Sequence, residues 1–140
     1  MKNREPSRLE MQVLSVLWQR GAATVRQVLE AMPDGKARAY TTILSVIQVM
    51  EKKGLVSHVA EGNVHVYQAR VSRRKVVGPL LRGLVRHVFG GSAATALQHL
   101  LLAEKGVSRQ ELEEIKEIIA RHEKGNGNGA GAAVKKKGKI

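Results

Sequence analysis

The sequence predicts a mainly α-helical chain with one small β-hairpin: a winged helix-turn-helix domain followed by a helical C-terminal domain. Three observations carry this expectation. Apolar residues recur at intervals of about three and four over three consecutive N-terminal segments, each with its own start or stop signal. Two short β-prone runs then flank a turn that contains Gly62 and Asn63. Aromatic residues make up only 3% of the 140 positions, so the core must rest on Leu, Val, Ile, Met and Ala, as in helical proteins that pack ridge into groove.

The first helix is expected from about Ser7 to Gln19. Ser7 and Glu10 stand at capping-box spacing, and Leu9, Val13, Val16 and Leu17 follow at helical intervals. Gly21 stops it. Thr24 and Gln27 repeat the capping box ahead of a shorter helix whose inner face is Val25, Val28, Leu29 and Met32, and Pro33, Asp34 and Gly35 end that helix in a turn.

The third helix, Tyr40 to Lys53, divides cleanly between faces. At about 100° per residue, Ile43, Val46, Ile47 and Met50 share an arc of about 100°, while Thr41, Ser45, Gln48 and Lys52 share an arc of about 60° on the other side. Gly54 closes the helix. The β-prone runs Val56 to Ala60 and Val64 to Tyr67 follow as the hairpin, with Glu61, Gly62 and Asn63 between them.

Ser72 is placed to cap a fourth helix carrying Val77, Leu80, Leu81, Leu84, Val85, Val88 and Phe89. That stripe is too broad for an isolated surface helix. Gly78 and Pro79 predict a kink or a start delayed to about Pro79, because proline lacks a backbone donor and crowds the preceding turn. Gly90, Gly91 and Ser92 break the chain, an apolar segment runs to Leu102, and Ser108 with Glu111 opens a last helix expected to end near Lys124. The expected organisation is thus a winged helix-turn-helix at 7–71, a helical dimerisation domain at 72–124 and a Gly/Lys tail at 125–140, too poor in apolar residues to order itself.

The chemistry these residues can perform points away from catalysis. There is no cysteine, so disulfides, thiol nucleophiles and thiolate metal sites are excluded, and a cytoplasmic location is the default expectation. No segment has the length and apolarity of a membrane span, so no membrane insertion is expected. The five histidines, His58, His65, His87, His99 and His122, include no pair at a recognised zinc spacing. No nucleophile, base and orienting acid can be assembled either. No enzyme activity, cofactor or metal is expected.

A polyanion is the natural partner. Lys and Arg number 24 against 12 Asp and Glu, giving a formal charge of +12, which draws the chain to double-stranded DNA. In a helix-turn-helix the second helix of the pair enters the major groove, where short side chains can meet base edges. The expected DNA-binding residues are Arg26, Arg38, Tyr40, Thr41, Thr42, Ser45, Gln48, Lys52 and His65, with the cations on phosphate and the hydroxyls on bases. Lys36 and Lys53 also lie about this face. The expected homodimer contacts are Val77, Leu81, Leu84, Val88, Leu112, Ile115 and Ile119, more apolar surface than a two- or three-helix appendage can cover alone.

Several stretches from about Leu9 to Ile119 resemble the penicillinase-repressor family, the winged-helix repressors of β-lactamase and methicillin-resistance genes, with their copper-responsive relatives. The resemblance rests on Glu10-Met11-Gln12-Val13-Leu14 with Leu17-Trp18, Thr24-Val25-Arg26-Gln27-Val28, Ala39-Tyr40-Thr41-Thr42-Ile43-Leu44, and Met50-Glu51-Lys52-Lys53-Gly54-Leu55-Val56. Val66-Tyr67, Val71-Ser72 and Phe89-Gly90-Gly91-Ser92 continue it in the same order. It implies a homodimeric transcriptional repressor that binds dyad-symmetric operators with the helix beginning at Tyr40-Thr41-Thr42 and dimerises through its C-terminal helices.

The resemblance also implies a membrane sensor protease of the antibiotic-response type as a partner. The sequence departs from the family pattern in three places. The Asn-Phe step cut in family members aligns with His99-Leu100, the cysteine-rich tail of the copper-responsive relatives is absent, and the Gly/Lys tail is foreign to the family. The competing expectation is a basic architectural protein that coats DNA with little sequence preference. It needs only phosphate contacts and leaves the polar ridge on the third helix without a use.

Overall fold

The computed structural model describes residues 5–103 and 105–128. Its elements run α1 (Arg8–Arg20), α2 (Val25–Glu30), α3 (Tyr40–Lys52), β1 (Val56–Glu61), β2 (Val64–Ala69), α4 (Arg73–Val88), α5 (Ala93–Leu102) and α6 (Arg109–Asn128). The described residues fall into two compact units, divided after Arg86. Most of α4 belongs with the first of these units.

Both capping boxes form. The Ser7 hydroxyl accepts from the Glu10 amide at 3.1 Å and the Glu10 carboxylate accepts from the Ser7 amide at 2.8 Å. Thr24 and Gln27 repeat the exchange at 3.1 and 2.9 Å. Each box satisfies amides that a helix start would otherwise leave unpaired.

The buried apolar residues of the core run from Val13 to Tyr67, with Leu9, Ala69 and Val71 packed against them. Leu14 and Leu17 from α1, Val28 from α2, Ile43, Ile47 and Met50 from α3, and Val56 and Tyr67 from the hairpin are all fully or almost fully buried. These are the inner faces that the helical spacing predicts, and their burial is the main force holding the three helices together.

The hairpin is antiparallel, with Val56 opposite Ala69 and Glu61 opposite Val64. Only Gly62 and Asn63 remain as the loop, so both strands are longer than the sequence suggests. Gly62 has φ +65° and Asn63 has no positive φ, the combination that a two-residue type II′ turn requires at its first position. A third segment joins the sheet: Ala23 and Tyr67 exchange backbone hydrogen bonds at 2.9 and 2.8 Å. That bridge pins the wing to the α1–α2 connection.

The chain leaves the wing along α1. The Trp18 indole donates to the Val71 carbonyl at 2.8 Å, and the Arg73 guanidinium lies over the Trp18 ring at 5.2 Å. The helix α4 then begins directly at its cap, with the Lys75 amide on the Ser72 hydroxyl at 3.1 Å, and it continues through Pro79. The expected late start is not seen. The anchored first turn already fixes six residues ahead of the proline, and the exposed Pro79 removes only one donor from the ladder.

In the C-terminal unit, α5 opens on Ser92, whose hydroxyl accepts from the Thr95 amide at 3.0 Å. The helix α6 opens on Ser108, which accepts from the Glu111 amide at 3.0 Å. It extends to Asn128, four residues past the expected end at Lys124. The remainder of the expected Gly/Lys tail, with all four of its lysines, lies outside the described residues. Among the described residues no helix is long and apolar enough to cross a membrane, and no group of three or more His, Asp or Glu could hold a metal ion.

Candidate nucleic-acid interface

The third helix places its two faces as the spacing demands. Ile43, Ile47 and Met50 are fully buried while Thr41, Thr42, Ser45, Gln48 and Lys52 are exposed. Burial of one face fixes the rotation of the helix about its axis, so the polar ridge cannot turn away from solvent without exposing the core. Its small hydroxyl side chains let the backbone approach a partner closely.

Charge around the ridge is sorted by pairing. Glu51, the acid on α3 itself, lies 2.8 and 3.0 Å from His58 Nδ1. Asp34, in the turn before α3, accepts from both terminal nitrogens of Arg38 at 3.0 and 2.6 Å. This bidentate contact holds the Asp34 carboxyl well below the usual carboxylate range, helped by the Lys36 amide, which donates to it at 3.0 Å. Arg26, Lys36 and Lys52 have no ion pair among the described residues. They are the cations left available for phosphate.

The remaining expected contacts are placed less simply. Arg26 lies over the ring of Tyr40 at 5.2 Å, and Tyr40 opens α3 half-exposed. Both line a cleft of about 540 Å³ with Thr24, Leu44, Asn63 and His65. His65 is exposed but stacks on His58, with ring centroids 4.1 Å apart and planes 15° apart, on the hairpin face that also carries Tyr67. Arg38 is committed to Asp34, so its first role is to brace the turn into α3. Lys53 is held on Glu10 and is not free for phosphate.

The sequence reading missed three contributors. Glu51 and His58 stand seven residues apart on different elements, so no local pattern links them. Val49 projects from α3 beside the polar ridge and is 47% exposed, a departure from the two-faced pattern that was visible in the sequence. The third is the apolar surface of α5: Leu100 and Leu102 are 63% and 77% exposed. Of the expected dimer contacts, Leu81, Leu84, Val88 and Ile119 are exposed and Val77, Leu112 and Ile115 half-buried. No residue beyond Tyr67 is buried among the described residues.

Comparison with known proteins gives a consistent set. The family model described as penicillinase repressor matches residues 6–121. The transcriptional regulator BlaI of Mycobacterium tuberculosis is 35% identical over 130 residues, covering 90% of this chain and 92% of that protein. The penicillinase repressor of Bacillus licheniformis is 20% identical over 113 residues, covering 81% and 88%. A solution structure of the DNA-binding domain of the repressor BlaI matches 52% of this chain and 90% of that one, at 27% identity and a TM-score of 0.45.

Proposed function

Because the chain belongs to the penicillinase-repressor family, we propose that it is a transcriptional repressor that binds double-stranded DNA as a homodimer, laying α3 in the major groove of each half of a dyad-symmetric operator. It is a regulator and not an enzyme, and it acts in the cytoplasm.

The observation that carries this reading is the division of α3. One face is locked into the core, and the other presents Thr41, Thr42, Ser45, Gln48 and Lys52 to solvent, with Arg26 and Lys36 nearby and in no ion pair among the described residues. Hydroxyls and an amide on a helix narrow enough for the major groove can meet base edges, while the cations set register on phosphate. Dimerisation is supported by the exposed apolar residues of α4, α5 and α6, which would cost free energy in water if nothing covered them. A twofold dimer in turn accounts for a dyad-symmetric target.

Selection of duplexes from a random pool by the full-length protein tests the reading. Recovered sequences should contain two inverted half-sites whose centres lie about one helical turn, or a multiple of it, apart. A recovered pool indistinguishable from the starting pool, with binding that still weakens steeply in salt, would instead describe an architectural protein.

A membrane sensor protease of the antibiotic-response type is the proposed upstream partner. The step His99-Leu100 lies in α5, where Leu100 is exposed. Co-expression with such a sensor, followed by mass spectrometry of the chain, tests for a cut near residue 99.

A further inference from the structure

The helix α3 contains no arginine. Its exposed side therefore offers the hydroxyls of Thr41, Thr42 and Ser45, the carboxamide of Gln48 and the ammonium of Lys52, and lacks the guanidinium that reads guanine bidentately. Arg38, the guanidinium just ahead of the helix, has both terminal nitrogens on Asp34. One exposed residue of this helix is wholly apolar: Val49, 47% exposed.

Helical rotation places Val49 about 40° from Ser45, about 20° from Thr42 and about 160° from Glu51. Thr42 and Val49 lie two turns apart, about 10.5 Å along the axis, with half-buried Val46 between them. The flank of the ridge opposite Glu51 is thus a narrow strip of methyl groups. A single exposed valine is ordinary on a protein surface, but this one stands beside the side chains that are aimed at base edges. Its β-branched side chain is also restricted to essentially one rotamer in a helix, so its methyls point in a fixed direction.

The apolar group that a major groove presents is the 5-methyl of thymine. We infer that Val49 is a specificity-determining residue that reads this methyl group. The inference rests on the proposed repressor function. Contact removes both partners from water, and one buried methyl is worth roughly fourfold in affinity, about 0.8 kcal/mol. Together with Gln48, whose carboxamide suits adenine, it makes the half-site read by α3 rich in A·T pairs.

Deoxyuridine removes only the methyl. Duplexes recovered from the random pool by the full-length protein are resynthesised with each thymine replaced in turn by deoxyuridine, and affinities are measured by fluorescence anisotropy for the wild type, Val49→Ala and Val59→Ala. Val59, a valine on the wing that is 57% exposed, serves as the control. The wild type and Val59→Ala should lose roughly fourfold at one or two thymines per half-site. Val49→Ala should bind the unmodified duplex correspondingly more weakly and lose nothing further at those positions. Equal deoxyuridine losses in Val49→Ala and wild type, or no loss in the wild type, overturn the inference while leaving a sequence-specific repressor. Failure to recover any preferred duplex removes the repressor reading and the inference with it.

Discussion

Lys53, at the end of α3, reaches back to Glu10 in the first turn of α1, with its Nζ 3.0 Å from both carboxylate oxygens. Glu10 is only 5% exposed and also accepts from the Ser7 amide, so one carboxylate joins the capping box of α1 to the last turn of α3. Removing the cation leaves a buried acid with fewer partners. Lys53→Ala is expected to lower stability by roughly 1–3 kcal/mol in urea titrations, and Lys53→Ala with Glu10→Gln should recover part of that loss. A chain that loses nothing on Lys53→Ala would show that the pair is a surface contact of no consequence.

The Asp34–Arg38 pair gives a pH signature. The bidentate guanidinium, with the Lys36 amide, depresses the Asp34 carboxyl in the folded state. A depressed carboxyl contributes stability that is present above its unfolded pKa, near pH 4, and is lost as pH falls through its folded value. Asp34→Asn should therefore melt at a lower temperature than wild type by the same interval at pH 7 and pH 5. The interval should narrow only below about pH 4. A difference that changes between pH 7 and pH 5 would assign the effect to another group.

What could be read in advance follows the range of the forces involved. The two capping boxes, the Gly62 turn and the two-faced α3 are set by residues within a few positions of one another, and each is legible from spacing alone. The Ala23–Tyr67 bridge, the Glu10–Lys53 pair and the Trp18–Val71 hydrogen bond join residues 44, 43 and 53 positions apart. They depend on how finished elements pack, which local pattern does not encode. Pro79 misleads only about where α4 starts, for a related reason: a proline in a solvent-facing turn behind a well-anchored cap costs the helix less than the residue type suggests. For the binding face, the ridge was legible, but the commitments of Arg38 to Asp34 and of Lys53 to Glu10 subtract two cations that composition alone leaves on it.

The C-terminal apolar surface predicts an obligatory partner. Full-length protein should sediment as a dimer at micromolar concentration, and Ile115→Asp with Ile119→Asp should sediment as a monomer that keeps the N-terminal fold. Neither isoleucine is among the buried residues of the core or the apolar residues packed against it. A separate N-terminal domain should be cut after Arg86, not near Arg70, because a chain ending at Arg70 loses the Val71 carbonyl that Trp18 requires. Sedimentation of the full-length protein as a monomer would contradict the dimer.

The cations beside the ridge should act on all DNA alike. Lys52→Ala and Arg26→Ala are each expected to weaken operator and random duplexes in parallel, and to reduce the slope of log affinity against log salt by about one for each phosphate contact removed. Arg38→Ala should behave differently, losing thermal stability as well, since its guanidinium is held by Asp34. A salt slope unchanged by Lys52→Ala would move the phosphate track away from the end of α3.

The most direct test compares readout with attraction on one helix. Thr41→Ala, Thr42→Ala and Ser45→Ala are measured beside Lys52→Ala on the duplex recovered by selection and on random-sequence DNA of equal length. Each hydroxyl that contacts a base should cost on the order of 1–3 kcal/mol on the selected duplex and almost nothing on random DNA, whereas Lys52→Ala should lower both. If the three hydroxyl substitutions and the charge substitution instead produced the same uniform loss on both duplexes, α3 would not be the reading helix.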